Sequence, residues 1–207
     1  MVIDFNYLHA VYGLDITGVI HVGAHYGEEI DAYKSVGISK IVCFEPVKDN
    51  YNVLRERHPD VNVYKCALGN TTGFVDMFLS SNAKESSSIL EPVEHLLDYP
   101  DITFLERETV PIVTLDDMIM HDPETIDNCN YLSIDVQGYE WEVLDGARDA
   151  LKDIDYVYLE VNRGETYAGN KILDDIDAIL YGHGFRRVET QWMGRTWGDA
   201  FYMKAKD

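Results

Sequence analysis

The stretch Val19-Ile20-His21-Val22-Gly23-Ala24-His25-Tyr26-Gly27 constrains this chain more than any other. A mostly apolar run stops at one glycine, a second follows four residues later, and a helix-like segment begins. The pattern reads as a buried strand, a glycine turn and a helix start. In an open α/β sheet, that turn is where a nucleotide-like cofactor sits: Gly23 lets the backbone approach the ligand, and Gly27 lets the next helix pack closely. An ordinary tight strand-to-helix loop has the same pattern, so a second feature is needed. Lys40-Ile41-Val42-Cys43-Phe44-Glu45-Pro46 is another apolar run, and it ends in an acid. Glu45 lies roughly 20 residues past the glycines, where a carboxylate at a strand tip binds ribose hydroxyls. Pro46 stops the strand and is expected to leave Glu45 at its exposed end.

The remaining pattern alternates strands with helices. Residues 4–13 read as an amphipathic helix with Phe5, Leu8 and Tyr12 on one face, ended by Gly13 and placed to cap the cofactor cleft. Strands are expected at 17–22, 40–45, 61–66, 73–79, 109–113, 131–136 and 156–161. Helices are expected at 27–36, 48–57, 140–151 and 170–182, with weak helix at 91–98 and a short one from Leu115. Ala67-Leu68-Gly69-Asn70 reads as a turn and residues 80–88 as a polar binding loop or flexible linker. Residues 185–192 and 199–204 read as a closing antiparallel pair. This is a doubly wound, Rossmann-like α/β sheet, mostly parallel, with an insertion around 73–113. No repeat or low-complexity linker divides residues 1–207, so a single domain is expected: an N-terminal capping helix over 1–16 and a core over 17–207. A hydride-transfer domain would be expected to continue into a substrate domain. A small domain closing on an antiparallel pair suits S-adenosylmethionine better than NAD.

Charge narrows the partners. Acids number 37 against 17 bases, a net charge of −20. Such a surface repels nucleic acid and anionic membrane, whose binding needs clustered Lys and Arg. No apolar run is long enough to span a bilayer, and the start of the chain lacks a basic n-region and cleavage site. Cys43, Cys66 and Cys129 show no metal-ligand spacing and read as reduced thiols. A cytoplasmic location is expected.

Several further motifs carry a resemblance. They are Val22-Gly23-Ala24-His25-Tyr26-Gly27-Glu28-Glu29, Phe44-Glu45-Pro46, Ala67-Leu68-Gly69-Asn70, Ser86-Ser87-Ser88-Ile89-Leu90, Thr114-Leu115-Asp116, Ile134-Asp135-Val136-Gln137-Gly138-Tyr139-Glu140, Leu159-Glu160-Val161-Asn162 and Gly184-Phe185. As an ordered set from residue 19 to about 204 they resemble the FkbM family of S-adenosylmethionine-dependent methyltransferases, including the short members with which large algal viruses methylate surface glycans. The resemblance implies a class I methyltransferase fold and O-methyl transfer to a hydroxyl of a sugar, glycan or small metabolite. Carried onto this sequence, the cofactor set is His21, Gly23, Ala24, His25, Gly27, Glu29, Glu45, Pro46, Ala67, Leu68, Asp135 and Gln137. Three positions depart from the family pattern. His21 stands where many methyltransferases carry an acid for the cofactor's amino group, a charge Glu29 or Asp135 could supply. His25 replaces a common Asn, and Gln137 a common Glu.

The chemistry of methyl transfer asks for a base beside the cofactor. Asp135 ends a buried central strand, where a carboxylate is costly unless it binds something; it is a base or cofactor contact, or else a helix cap. Glu160 ends the neighbouring strand and is a site residue or a structural ion-pair member. His95 is a surface residue or a base reaching in from the added segment. Asp135, Glu160 and Asn162 could also form an oxygen-rich Mg²⁺ site. Ser87 and Ser88, the loop residues Asn162, Arg163 and Tyr167, and Trp197 mix aromatic and polar groups in a way that suits a sugar. Two rival functions are a non-catalytic adenosine-binding module and a nicotinamide oxidoreductase. The second predicts a fuller Gly-x-Gly-x-x-Gly than this chain has.

Overall fold

A computed structural model describes residues 2–193 and 195–205. In chain order the elements are α1 (Phe5–Tyr12), β1 (Val19–Val22), α2 (Ile30–Ser35), β2 (Ile41–Phe44), α3 (Lys48–Arg57), β3 (Asn62–Tyr64), β4 (Ala67–Leu68), β5 (Gly73–Leu79), α4 (His95–Asp98), β6 (Glu106–Val113), α5 (Leu115–His121), α6 (Pro123–Ile126), β7 (Tyr131–Ile134), α7 (Glu140–Asp145), β8 (Tyr156–Asn162), α8 (Leu173–Gly182), β9 (Phe185–Met193) and β10 (Trp197–Lys204). The main sheet runs β3-β2-β1-β7-β8-β10-β9. Its first five strands are parallel, and β10 is antiparallel to both β8 and β9.

Every residue of β1, β2, β7 and β8 is buried. That is why these strands read as apolar runs rather than as alternation: both faces of the sheet are covered. Successive side chains go to opposite faces. Ile20, Val22, Val42, Phe44, Leu132 and Ile134 enter one core, with Val143, Leu144 and Leu180 from α7 and α8. Val19, Ile41, Cys43, Tyr131, Tyr156 and Tyr158 enter the other, with Phe5, Ile30 and Tyr33 from α1 and α2.

The chain leaves β1 towards β2 and β3 on one side, then returns to build β7 and β8 on the other. The order therefore reverses between β1 and β7. In a doubly wound sheet a ligand crevice opens outside the carboxyl ends of the strands at that reversal.

Four features differ from the sequence expectation. Ala67 and Leu68 form a short strand that pairs with Ile112 and Val113, seeding a second sheet of order β4-β6-β5 over the crevice. The helix from Glu140 ends at Asp145, and Gly146 then lies flush against the turn after β4; a Cβ there would stand 1.9 Å from the Gly69 carbonyl oxygen. Helix α1 forms as its sequence asks, with the Asp4 carboxylate accepting from Tyr7 N and Gly13 at φ +60° closing it. It does not cap the crevice, however. Phe5 stands edge-on to Tyr33 and Tyr131, so α1 covers one face of the sheet. Finally, α4 occupies only four residues of the segment 91–98.

Candidate active site

The turn after β1 is fixed by what surrounds Gly23. Its φ is +76°, and a Cβ would stand 1.8 Å from the Asp135 carbonyl oxygen, so no other residue fits. The Gly23 and Ala24 amides both donate to the Phe44 carbonyl, and Asp135 N donates to the Val22 carbonyl. The ends of β1, β2 and β7 are thereby tied into one rim. Gly27, at φ +80°, is hemmed in by side chains rather than backbone, with Leu54 of α3 and Ile30 of α2 in the space a Cβ would need.

His25 follows in the left-handed region at φ +45°. Its N–H donates to Glu45 Oε2 (2.9 Å), and its ring pairs with Glu28 Oε1 and the Ala83 carbonyl (both 3.0 Å). Burial acts to lower its pKa, but these hydrogen bonds outweigh it and the pKa rises.

Glu45 is buried rather than exposed at a strand tip, with 4% of its surface accessible. Pro46 does not turn it out to solvent, because its two oxygens accept from opposite sides: Oε2 from His25 N and Oε1 from Val47 N (2.9 Å). Burial pushes its pKa up to about 7, against the pull of those N–H groups. The Asn50 side chain adds a further hydrogen bond to this carboxyl.

These residues line a cleft with about 530 Å³ of space between its walls, part of it open to solvent. Val22, Phe44, Leu68, Met77, Ile89 and Val136 make apolar walls; Glu45 lies at one end, Asp135 and Gln137 at the other. Of the expected cofactor residues, Gly23, His25, Glu45, Pro46, Ala67, Leu68, Asp135 and Gln137 line it. His21, Ala24, Gly27 and Glu29 do not. His21 is buried within β1 with Nδ1 3.3 Å from the Tyr33 hydroxyl, and burial lowers its pKa. Ser87, expected to meet substrate, faces this cavity instead. Ser88 is behind the wall, its hydroxyl donating to the Gln137 carbonyl.

Beyond β7 the central feature is an amide between two acids. Gln137, at φ +57°, donates from Nε2 to Asp135 Oδ1 (2.7 Å) and Glu160 Oε2 (3.2 Å). The two acids on Nε2 fix which way the amide faces, and the Tyr167 hydroxyl lies 2.9 Å from its Oε1 and 3.1 Å from the Ser86 carbonyl. Glu140 holds the loop from behind, Oε1 accepting from Val136 N and Gly138 N; burial raises its pKa to about 8. Burial, and then Asp135 and Glu140 nearby, push Glu160 well above the usual carboxylate range. Asp135 does not cap α7, whose N-cap is Tyr139 without a side-chain bond. The proposed Mg²⁺ set of Asp135, Glu160 and Asn162 is differently arranged: the Gln137 amide stands between the two acids. Among the described residues no group of three or more His, Cys, Asp or Glu could hold a metal ion.

A second, more open cavity of about 1330 Å³ lies on the far side of this cluster. Asp135, Gln137 and Glu85 line both cavities. Glu160, His95 and Trp197 line the second; Asn162, Arg163 and Tyr167 do not. His95 is buried, against its reading as a surface residue, and packs on Tyr99, Phe104 and Tyr167.

The sequence reading singled out none of Asn82, Ser86, Tyr99, Thr166, Gln191 and Asp199 on this wall individually, although Asn82 and Ser86 fall in the segment 80–88 read as a binding loop. Asp199 reaches it because β10 pairs antiparallel with β8, setting it opposite Glu160. Its carboxylate accepts from Val2 N, Ile3 N and the Tyr158 hydroxyl, and burial raises its pKa to about 6. The loop of residues 80–88 serves both cavities. It is laced by Ser87 Oγ accepting from Ser80 N, Ser80 Oγ from Ser86 N, and Ser86 Oγ from the Asn82 amide.

Comparison with known proteins agrees with this geometry. The family model described as Methyltransferase FkbM domain matches residues 21–187. The 2-O-methyltransferase NoeI of Sinorhizobium fredii (strain NBRC 101917 / NGR234) is 27% identical over 151 residues, covering 69% of this chain and 61% of that protein. Among solved structures, Methyltransferase FkbM from Methylobacillus flagellatus KT matches with a TM-score of 0.60 and 17% identity, over 90% of this chain and 43% of that one. Magnesium protoporphyrin IX methyltransferase (ChlM) from Synechocystis PCC 6803, with bound SAM, matches with a TM-score of 0.55 and 9% identity, over 97% and 76%. This chain thus spans less than two thirds of the curated relative and under half of the solved FkbM protein. The structural matches establish a class I methyltransferase fold. With the family match running over most of its length, the chain belongs to the FkbM methyltransferase family.

Proposed function

We propose that the chain moves the methyl group of S-adenosylmethionine to a hydroxyl of a sugar, glycan or small metabolite. The observation that carries this is the shared wall: Asp135, held by Gln137, faces both the cavity at the β1/β7 reversal and the open cavity beside it. The first cavity suits an adenosine, with an apolar slot for a base and Glu45 placed for ribose hydroxyls. When bound, S-adenosylmethionine supplies an electrophilic methyl group on a sulfonium.

The protein's own groups divide the remaining work. Asp135, on the wall shared by the two cavities, is placed to accept the proton of the attacking hydroxyl, and Glu160, on the second cavity alone, to position that hydroxyl. Removing that proton as the new bond forms would contribute about 10²–10⁴-fold. Holding the acceptor in line with the methyl contributes the larger share. NoeI, by its name a 2-O-methyltransferase, supports a hydroxyl acceptor.

The test is calorimetric titration with S-adenosylmethionine, on the wild type, Glu45→Ala and Glu45→Gln, then acceptor screening with sugars, with and without EDTA. Micromolar binding that Glu45→Ala abolishes supports the reading. No binding to the wild type refutes it. Glu45→Gln separates ribose binding from loop support, since an amide accepts from one backbone N–H while the alanine releases both.

A further inference from the structure

Four acids line the second cavity: Glu85, Asp135, Glu160 and Asp199. No Lys or Arg is among the described residues lining it. The nearby Lys and Arg side chains are engaged elsewhere. Arg195 pairs with Asp98 (3.2 Å) and Glu94 (3.6 Å), and Lys84, on the wall of the other cavity, pairs with Glu106 (2.9 Å). Arg163 lies over the Trp192 ring.

His95 is 4% exposed, and its Nδ1 is buried on this wall with no hydrogen bond from the protein. Burial lowers its pKa, so it presents a neutral imidazole. A buried polar atom without a partner costs free energy that a ligand hydroxyl can recover. Around it stand the neutral polar groups of Asn82, Ser86, Thr166 and Gln191. Trp197 donates from Nε1 to the Tyr99 hydroxyl (3.0 Å), a fixed aromatic pair of the kind that lies against sugar rings.

From this lining we infer that the cavity accepts an uncharged, hydroxyl-rich molecule and rejects phosphorylated, sulfated or nucleotide-activated forms of it. The inference rests on the methyltransferase reading and narrows its acceptor. Phosphate sites are built from Arg, Lys or clustered backbone N–H groups. Here an approaching phosphate meets carboxyl groups in place of such donors, and each one that is ionised costs on the order of 10-fold in affinity per added charge. The reaction that supplies the substrate must therefore have removed any phosphate first: glycosyl transfer from a nucleotide carrier, or phosphate hydrolysis, precedes methylation.

Two measurements test this on the whole chain. The first is methyl transfer to paired methyl glycosides and glycosyl 1-phosphates of the same sugars. The neutral member should lead by at least about 10-fold in kcat/KM, the gap narrowing with added salt and in Glu85→Lys. A phosphate turned over as well as its neutral partner overturns the inference. The second needs no knowledge of the right sugar: protein loaded with S-adenosylhomocysteine is titrated with uridine, guanosine and thymidine diphosphates. Absence of binding supports the inference, and saturable submillimolar binding overturns it. Failure of S-adenosylhomocysteine itself to bind is a different result and refutes the methyltransferase reading.

Discussion

Gln137→Glu isolates the part played by the amide between Asp135 and Glu160. The substitution is nearly isosteric and leaves no cavity, but it puts a carboxyl where Nε2 now donates at 2.7 and 3.2 Å. Ionised, that carboxyl would face two others at contact distance. In the folded protein it therefore keeps its proton, with a pKa raised above the unfolded value of about 4.3. The sign follows from linkage. Below about pH 4.3 both states carry the proton and the penalty is limited to the lost donor. Above that pH the unfolded chain releases the proton while the folded one holds it, so folding loses about 1.4 kcal/mol for each pH unit until the raised pKa is reached.

Between pH 5 and 7 the stability gap to wild type should widen by about 3 kcal/mol. For a chain of this size that is a further fall in Tm of about 6–12 °C. Thermal unfolding of both proteins across that range measures it, with Gln137→Met as a neutral control whose gap stays flat. A Gln137→Glu gap that does not change with pH would show that the amide does not bridge the two acids.

Three other outcomes are expected. Affinity for S-adenosylmethionine should rise with pH up to about 7, by as much as about 10-fold per unit, and then level off. Glu45 carries a pKa of about 7, and ribose hydroxyls bind its ionised form; calorimetry in buffers of different ionisation heat should record the proton released. Gly23→Ala should cost more than about 4 kcal/mol in urea unfolding, or prevent folding, because the added Cβ meets the Asp135 carbonyl and the backbone is left-handed. Trp197→Ala should raise the acceptor KM about 10-fold, through lost stacking, and leave S-adenosylmethionine affinity unchanged.

The central strands and the crevice were legible because their causes are local. β1, β2, β7 and β8 are buried on both faces, which writes an apolar run into each. Gly23 and Glu45 are set by the backbone immediately around them. Asp135 and Glu160 were legible as acids ending such runs. Glu140 carried a weaker signal, an acid in the first turn after Gly138, whose carboxyl folds back onto the loop amides.

The second cavity was mostly illegible, because no local rule assembles it. Asp199 arrives through the antiparallel register with β8, His95 through a four-residue helix in an irregular segment, and Asn82 and Glu85 through a loop laced by serine hydroxyls. Ala67-Leu68 looked like a turn because a two-residue strand carries no periodicity; only pairing with β6 makes it one. Glu45 was misjudged as exposed because Pro46 does end the strand. What buries the carboxyl is the pair of amides from His25 and Val47, groups that are invisible in a side-chain pattern.

The reversed direction of β10 has a consequence for how this fold can diversify. The parallel strands deliver their carboxyl ends to the crevice, so residues there are tied to the cofactor turn. β10 delivers its beginning, and with it the tip of the β9–β10 hairpin, including Met193 and Trp197. That tip can lengthen, shorten or change its aromatic groups without shifting Gly23, Glu45 or Asp135. On the methyl transfer proposed above, recognition of the methyl donor and choice of what receives the methyl would be carried by separately variable parts, and exchanging the hairpin tip would be the direct route to a new acceptor range.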